Sequence, residues 1–355
     1  MSDAAHRPAP LGLAFVGCFT TERRRARGRG IDVYRTGGGL DSWAHLGRVE
    51  GLTNPSYLVA DPNRAVLYTV QGDGEAASVF AVTPDGTLRA LGSAATGGTN
   101  SVHQALDATG RFLIVANYAS GTVALLPVRD DGGLEPARHV LPLPGDPGPH
   151  RSEQACAHPH HVVLSPDGRH VLVPDKGLDR VFVLAVDGER LAIVSEIAMR
   201  PGAGPRHIAF HPRAPLAFLV NELESSVATC RWNAEAGTLT PLHLAPTLPP
   251  DFFGASTAAA IVVTPDGRFV YVSNRGQDGI GRFRVDEAGR LDPIGWTPSG
   301  GRDPRFMTLA PDAAHLLVAN EQGDSLVEFA INAESGDLTR TGSRPSLSPC
   351  TIAFL

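Results

Sequence analysis

Apolar residues alternate with small or polar ones in short runs along the chain, and the runs come in pairs. Six segments share one layout: an alternating apolar run, a turn, a second apolar run and a closing polar residue. They are SYLVADPNRAVLYTVQ, HQALDATGRFLIVAN, HVVLSPDGRHVLVPD, HIAFHPRAPLAFLVN, AIVVTPDGRFVYVSN and MTLAPDAAHLLVAN. Period-two alternation broken by a Pro-Asp-Gly-type turn predicts a β-hairpin in each. Pro62, Ala108, Pro166, Pro212, Pro265 and Pro311 anchor the turns. Nine residues later in every copy stand Gln71, Asn117, Asp175, Asn221, Asn274 and Asn320. An offset kept through six copies marks a structural repeat.

Two further short strands follow each hairpin, as at Arg180 to Val186 and Leu191 to Ile197. Four strands per ~46–58-residue unit is the pattern of a propeller blade. Leu13 to Thr20 and Gly30 to Arg35 read as second and third strands that lack a first, and Cys350 to Leu355 supplies it from the other end of the chain. The expectation is an all-β protein: one seven-bladed β-propeller domain over residues 1–355, with four-stranded antiparallel blades. Its N- and C-terminal strands close one blade, so no sheet edge stays open there. A pair of β-sandwiches would leave the constant offset unexplained.

Anchor-to-anchor distances are 46, 58, 46, 53 and 46 residues, and the surplus falls near Gly145 to Ala157 and Ala245 to Thr257. Both insertions precede the first strand of a blade. In a hairpin, the start of the first strand lies beside the end of the second. The insertions, the openings of the inner strands and the residues closing the second strands therefore share one rim, where long loops usually carry function.

That rim collects chemistry. His103, His158-Pro159-His160-His161, Arg206-His207 and Arg305 open inner strands; Asn117-Tyr118, Asp175-Lys176, Asn221-Glu222, Asn274-Arg275 and Asn320-Glu321 close second strands. The basic loop Glu22 to Arg29 overhangs the same side. Arginine, histidine and carboxylate around a funnel can bind an oxyanion and move protons. Each also has a plainer role: strand-closing Asn and Asp are common turn residues, and the loop can be a solvated hairpin. The histidine run has no accompanying carboxylate or cysteine spacing of a metal site, so no metal is expected. His161 should face away from His160, as a structural residue.

Composition narrows the partners. Net charge is −6 with a sequence pI of about 6.1, which speaks against nucleic acid. The apolar run Leu11 to Phe19 is too short to cross a bilayer. With 39 Gly and 29 Pro, the chain suits turns and short strands. Cys18, Cys156, Cys230 and Cys350 are widely spaced and form no CxxC pair, so a reduced, cytoplasmic protein is expected. A GxSxG elbow, a P-loop and a strand-following GxGxxG are all lacking, which leaves serine hydrolase, NTPase and dehydrogenase unsupported.

NPSYL at Asn54 to Leu58, VANY, HPH at His158 to His160, VPDKGLDRVFV, GAGPRHIAFHP, VNELES and VSNRGQD together resemble the seven-bladed propeller lactonase family. That family includes 6-phosphogluconolactonases and carboxy-muconate cyclases. The resemblance spans nearly the whole chain and implies His160, Arg206, Glu222 and Arg275 as catalytic residues. His103, Asn117, His158, Asp175, Lys176, His207, Asn221, Asn274 and Arg305 are the expected substrate-binding set, without a cofactor. The implied reaction is hydrolysis of a sugar-acid lactone, 6-phosphogluconolactone or a related aldonolactone. Arg206 and Arg275 would hold the anion, and water would be activated by Glu222 or His160, with Glu222 preferred. Muconolactone cyclisation and a non-catalytic binding propeller are the alternatives. Family members commonly carry Glu where this chain has Ala260, and Arg-Gln where it has Glu153-Gln154.

Overall fold

The computed structural model describes residues 11–355, which form seven four-stranded antiparallel sheets. The first blade joins Pro349–Phe354 to Leu13–Cys18, Gly30–Arg35 and Ala44–Glu50. Cys18 pairs with Pro349, so Cys18 and Cys350 lie in neighbouring strands as expected, both as buried free thiols. Burial pushes the Cys18 thiol up to about 12, which keeps it protonated. The other six blades follow in sequence order, each opened by an inner strand: Pro55–Asp61, Ser101–Leu106, Val163–Leu164, Pro205–Phe210, Thr257–Val263 and Pro304–Leu309.

Burial explains why four strands suffice for a blade. Second strands such as Phe112–Asn117 are buried at every position, while fourth strands such as Ala44–Glu50 expose most of theirs. Both faces of each blade's inner half are covered by neighbours, which is why those strands read as continuous apolar runs. The core is therefore a set of inter-blade layers: Ile114, Phe112 and Val123 of one blade pack on Val173, Phe182 and Leu184 of the next. Tyr68 and Tyr271 each donate a hydroxyl across a blade boundary, to the Gly132 and Gly336 carbonyls.

The repeated polar residue closes the same boundaries. Asn117, Asn274 and Asn320 are fully buried and donate their side-chain N–H to the carbonyls of Thr96, Thr247 and Ser299, each just past the preceding blade's last strand. At the opposite end, the Pro-Asp-Gly turns place Gly168 and Gly267 at φ of 69° and 79°, where a side chain would be strained.

One blade departs from the pattern. Its inner ladder is only Val163–Leu164: Pro159 makes an isolated bridge to Asp175, and the Val162 N–H donates to the His103 ring instead of to the neighbouring strand. The His158 to His161 segment still lies along its neighbour, with Lys176 donating to the His158 carbonyl and His160 to the Pro174 carbonyl.

Candidate active site

Two registers of the repeat build the site. The first is a bulge. In the inner strands, Ser56, Val102, Arg206, Arg305 and Cys350 are each an extra residue between ladder pairs. A bulge re-aims its side chain. Together with His160, these residues line a narrow cavity of about 20 Å³ at the centre of the ring, room for about one water.

A layer of aromatic rings lies just below. His103 sits 3.6 Å from Tyr57 and 4.1 Å from His161, centroid to centroid; His161 stacks on His207 at 4.5 Å. Arg206 Nη1 is 3.1 Å from His207 Nε2, and a guanidinium has no acceptor, so His207 carries its proton on Nδ1 and is neutral. The Val162 N–H donates to His103 Nδ1. Burial, and then the nearby Arg206 charge, holds His160 and His207 well below the ordinary imidazole range and pushes His161 down to about 3.

The second register lies one residue past the repeated polar position. Tyr118, Lys176, Glu222 and Arg275 line an open cleft of about 230 Å³ above the cavity, and Arg275 continues with Glu321 and Arg305 into an adjoining lobe. The Asn or Asp ends its strand inside the blade, and the next residue, which in three of these four blades already begins the turn, sends its side chain into the cleft. Glu222 is the hub. Its Oε1 lies 3.0 Å from Lys176 Nζ and 3.1 Å from Arg275 Nη2, and its Oε2 lies 2.9 Å from Arg206 Nε. Burial alone would raise this carboxyl, but Arg275, Lys176 and Arg206 outweigh it and hold it well below the usual carboxylate range. The same pairing keeps buried Lys176 charged.

The expected residues divide accordingly. His160, Lys176, Glu222, Arg275 and Arg305 line the cleft, while Arg206 and His207 lie beneath it around the narrow cavity. Arg206 is only 2% exposed, is ion-paired with Glu222 and turns its Nη1 to His207 and the Ala259 carbonyl. Burial beneath Glu222 corrects its expected role of gripping a substrate anion. His103 is placed lower still, in the ring layer. His158 stacks on Tyr118 at 4.3 Å and bonds its backbone carbonyl, so it supports that ring. Asn117, Asp175, Asn221 and Asn274 are fully buried and turned from the cleft, which corrects their assignment to substrate. Asp175 accepts three backbone N–H bonds on Oδ1 and Asn221 binds Ser226 and Glu224, because these positions close strands.

Tyr118, Arg24, Glu153 and Asn100 also line the cleft but were not among the expected substrate contacts. Tyr118 was legible as the residue after the repeated Asn. Arg24 was placed only within a basic loop. Glu153 and Asn100 sit in connections that carry no repeat signal.

Comparison with known proteins agrees with this architecture. Residues 13–354 match the family described as "Lactonase, 7-bladed beta-propeller". A 6-phosphogluconolactonase of Bacillus subtilis is 33% identical over 309 residues, 86% of this chain and 88% of that one. The solved structure of the Pseudomonas aeruginosa periplasmic gluconolactonase PpgL is 32% identical with TM-score 0.85, covering 97% of this chain and 98% of its own. A putative 6-phosphogluconolactonase of Bacteroides fragilis is 26% identical with TM-score 0.88, covering 99% and 100%. The bulged arginines, the cation-clamped Glu222 and the closed ring of seven blades thus belong to a member of the seven-bladed β-propeller lactonase family.

Proposed function

We propose that the chain hydrolyses a sugar-acid lactone in the cleft over Glu222. The observation that carries this reading is the adjacency of a buried neutral imidazole, His160, to a carboxylate clamped by three cations. A carboxylate so paired has little affinity for a proton, which argues against Glu222 as the base, the role the sequence had favoured. His160 keeps a lone pair at neutral pH, and its buried Nδ1 has no protein partner. It therefore takes the proton as a water oxygen bonds to the lactone carbonyl carbon. Arg275, half-buried and directed to the cleft, stabilises the oxyanion that forms. The C–O ring bond then breaks, the proton passes to the leaving oxygen, and a hydroxy acid departs. Glu222 holds Lys176, Arg206 and Arg275 in place for this.

The test is a pH-indicator assay across aldonolactones and a muconolactone, with and without EDTA. Turnover of an aldonolactone, retained in EDTA and lost in both His160→Ala and Arg275→Ala, supports the proposal. Turnover of the muconolactone alone moves the chemistry to cyclisation; zinc-reversible loss in EDTA moves it to a metal.

A further inference from the structure

Resting on that reading, we propose that the lactone this cleft selects is unphosphorylated, and that Glu153 enforces the choice. The argument is one of charge already used. Each of the five cations at the cleft and its floor faces a carboxylate. Arg24 holds Asp73 with both prongs of its guanidinium, at 2.7 Å each. Lys176 Nζ lies 2.6 Å from Glu153 Oε2 as well as 3.0 Å from Glu222. Arg206 and Arg275 share Glu222, and Arg305 faces Glu321 at 3.4 Å. Asp303 adds a further carboxyl to the same wall. A sugar-phosphate dianion would have to displace one of these partners and would meet its charge at close range, where the interior dielectric screens poorly.

Glu153 is the partner nearest the mouth. Its side chain is 43% exposed, yet its backbone is pinned. The next residue, Gln154, is 2% exposed; it donates to the Lys176 carbonyl and to Asp179, and it accepts from the His150 N–H. The insertion thus fixes a negative charge over the lysine that would otherwise be the readiest phosphate ligand. Neutral hydroxyls suit the same wall, since Glu153, Asn100 and Tyr118 offer acceptors and donors without a change of charge. The net charge of −6 also disfavours a dianion in approach.

The experiment compares initial rates on D-glucono-1,5-lactone and its 6-phosphate ester at equal ionic strength, in the wild type and in Glu153→Gln. Expected is a kcat/KM for the unphosphorylated lactone at least ~10-fold above that of the ester, with the gap narrowed ~5–10-fold in Glu153→Gln. Inorganic phosphate as an inhibitor of the wild type is a second measure that needs no variant, and it should compete weakly. A wild-type preference for the ester, an unchanged ratio in Glu153→Gln or tight competition by phosphate overturns this proposal while lactone hydrolysis stands. Turnover of neither lactone overturns both.

Discussion

Two adjacent positions of the same repeat behave in opposite ways. Nine residues past the turn anchor the side chain is nearly invariant in the last five of the six copies: Asn117, Asp175, Asn221, Asn274, Asn320. Ten residues past it the side chain varies among an aromatic, two cations and two carboxylates: Tyr118, Lys176, Glu222, Arg275, Glu321. The first set is fully buried, and where it crosses a blade boundary it satisfies a carbonyl that water cannot reach. The second faces the cleft. Sameness marks the boundary, which recurs in each copy; variety marks the candidate site, where the blades bring aromatic, cationic and acidic groups.

Substitution in neighbouring pairs tests this division. The largest effect is expected at Glu222. Glu222→Gln keeps the shape but leaves three cations without their anion, so kcat should fall by ~10²–10⁴. Asn221→Ala next door should cost stability and leave kcat within a few-fold, as assays beside thermal melts would show. Equal kcat losses at both would break the comparison. Arg275→Ala follows, with a raised KM and a kcat lower by ~10²–10³. Its neighbour Asn274→Ala removes two buried bonds to Thr247, whose carbonyl keeps Trp296 and whose hydroxyl keeps the Ser225 carbonyl, and should lose about 1–3 kcal/mol in denaturant unfolding.

The pH profile sharpens the assignment of the base. His160 is held well below 6.5 by burial and by Arg206, and it must be neutral to accept a proton. Activity should therefore be flat through neutrality and fall only as pH drops through that lowered value. An acid limb centred at 6.5 or above would count against His160.

The smallest effect concerns the one acid in the nine-residue register. Burial raises Asp175 to about 6, so its charged form is disfavoured in the fold. A carboxyl raised in the native state loses stability as pH rises from its unfolded value towards 6. Asp175→Asn should then stabilise the protein at pH 7.5 by about 1–3 kcal/mol, and the gain should vanish near pH 4. A pH-independent difference would separate this Asp from its Asn counterparts.

Much of this was legible in the residues. The alternation, the anchors and the complementary ends predict seven blades and their closure, and the unequal spacing picks the working rim. The candidate site was legible as far as residues that the strand pattern or a recognised motif places, such as His160 and Glu222. It failed for Asn117, Asp175, Asn221 and Asn274, because spacing says which end of a strand a residue closes and not which way its side chain turns. It failed for Arg206 because a bulge sets its depth, and bulges leave no mark on an apolar-polar pattern.

Sequence alone thus determined the blade count, the order and the rim, since these follow from local periodicity and from the length of chain between turns. Tertiary structure decided the chemistry. Lys176, Arg206, Glu222 and Arg275 come from three different blades and meet only when the ring closes. Their protonation then depends on burial and on one another's charge, quantities that no stretch of chain carries by itself.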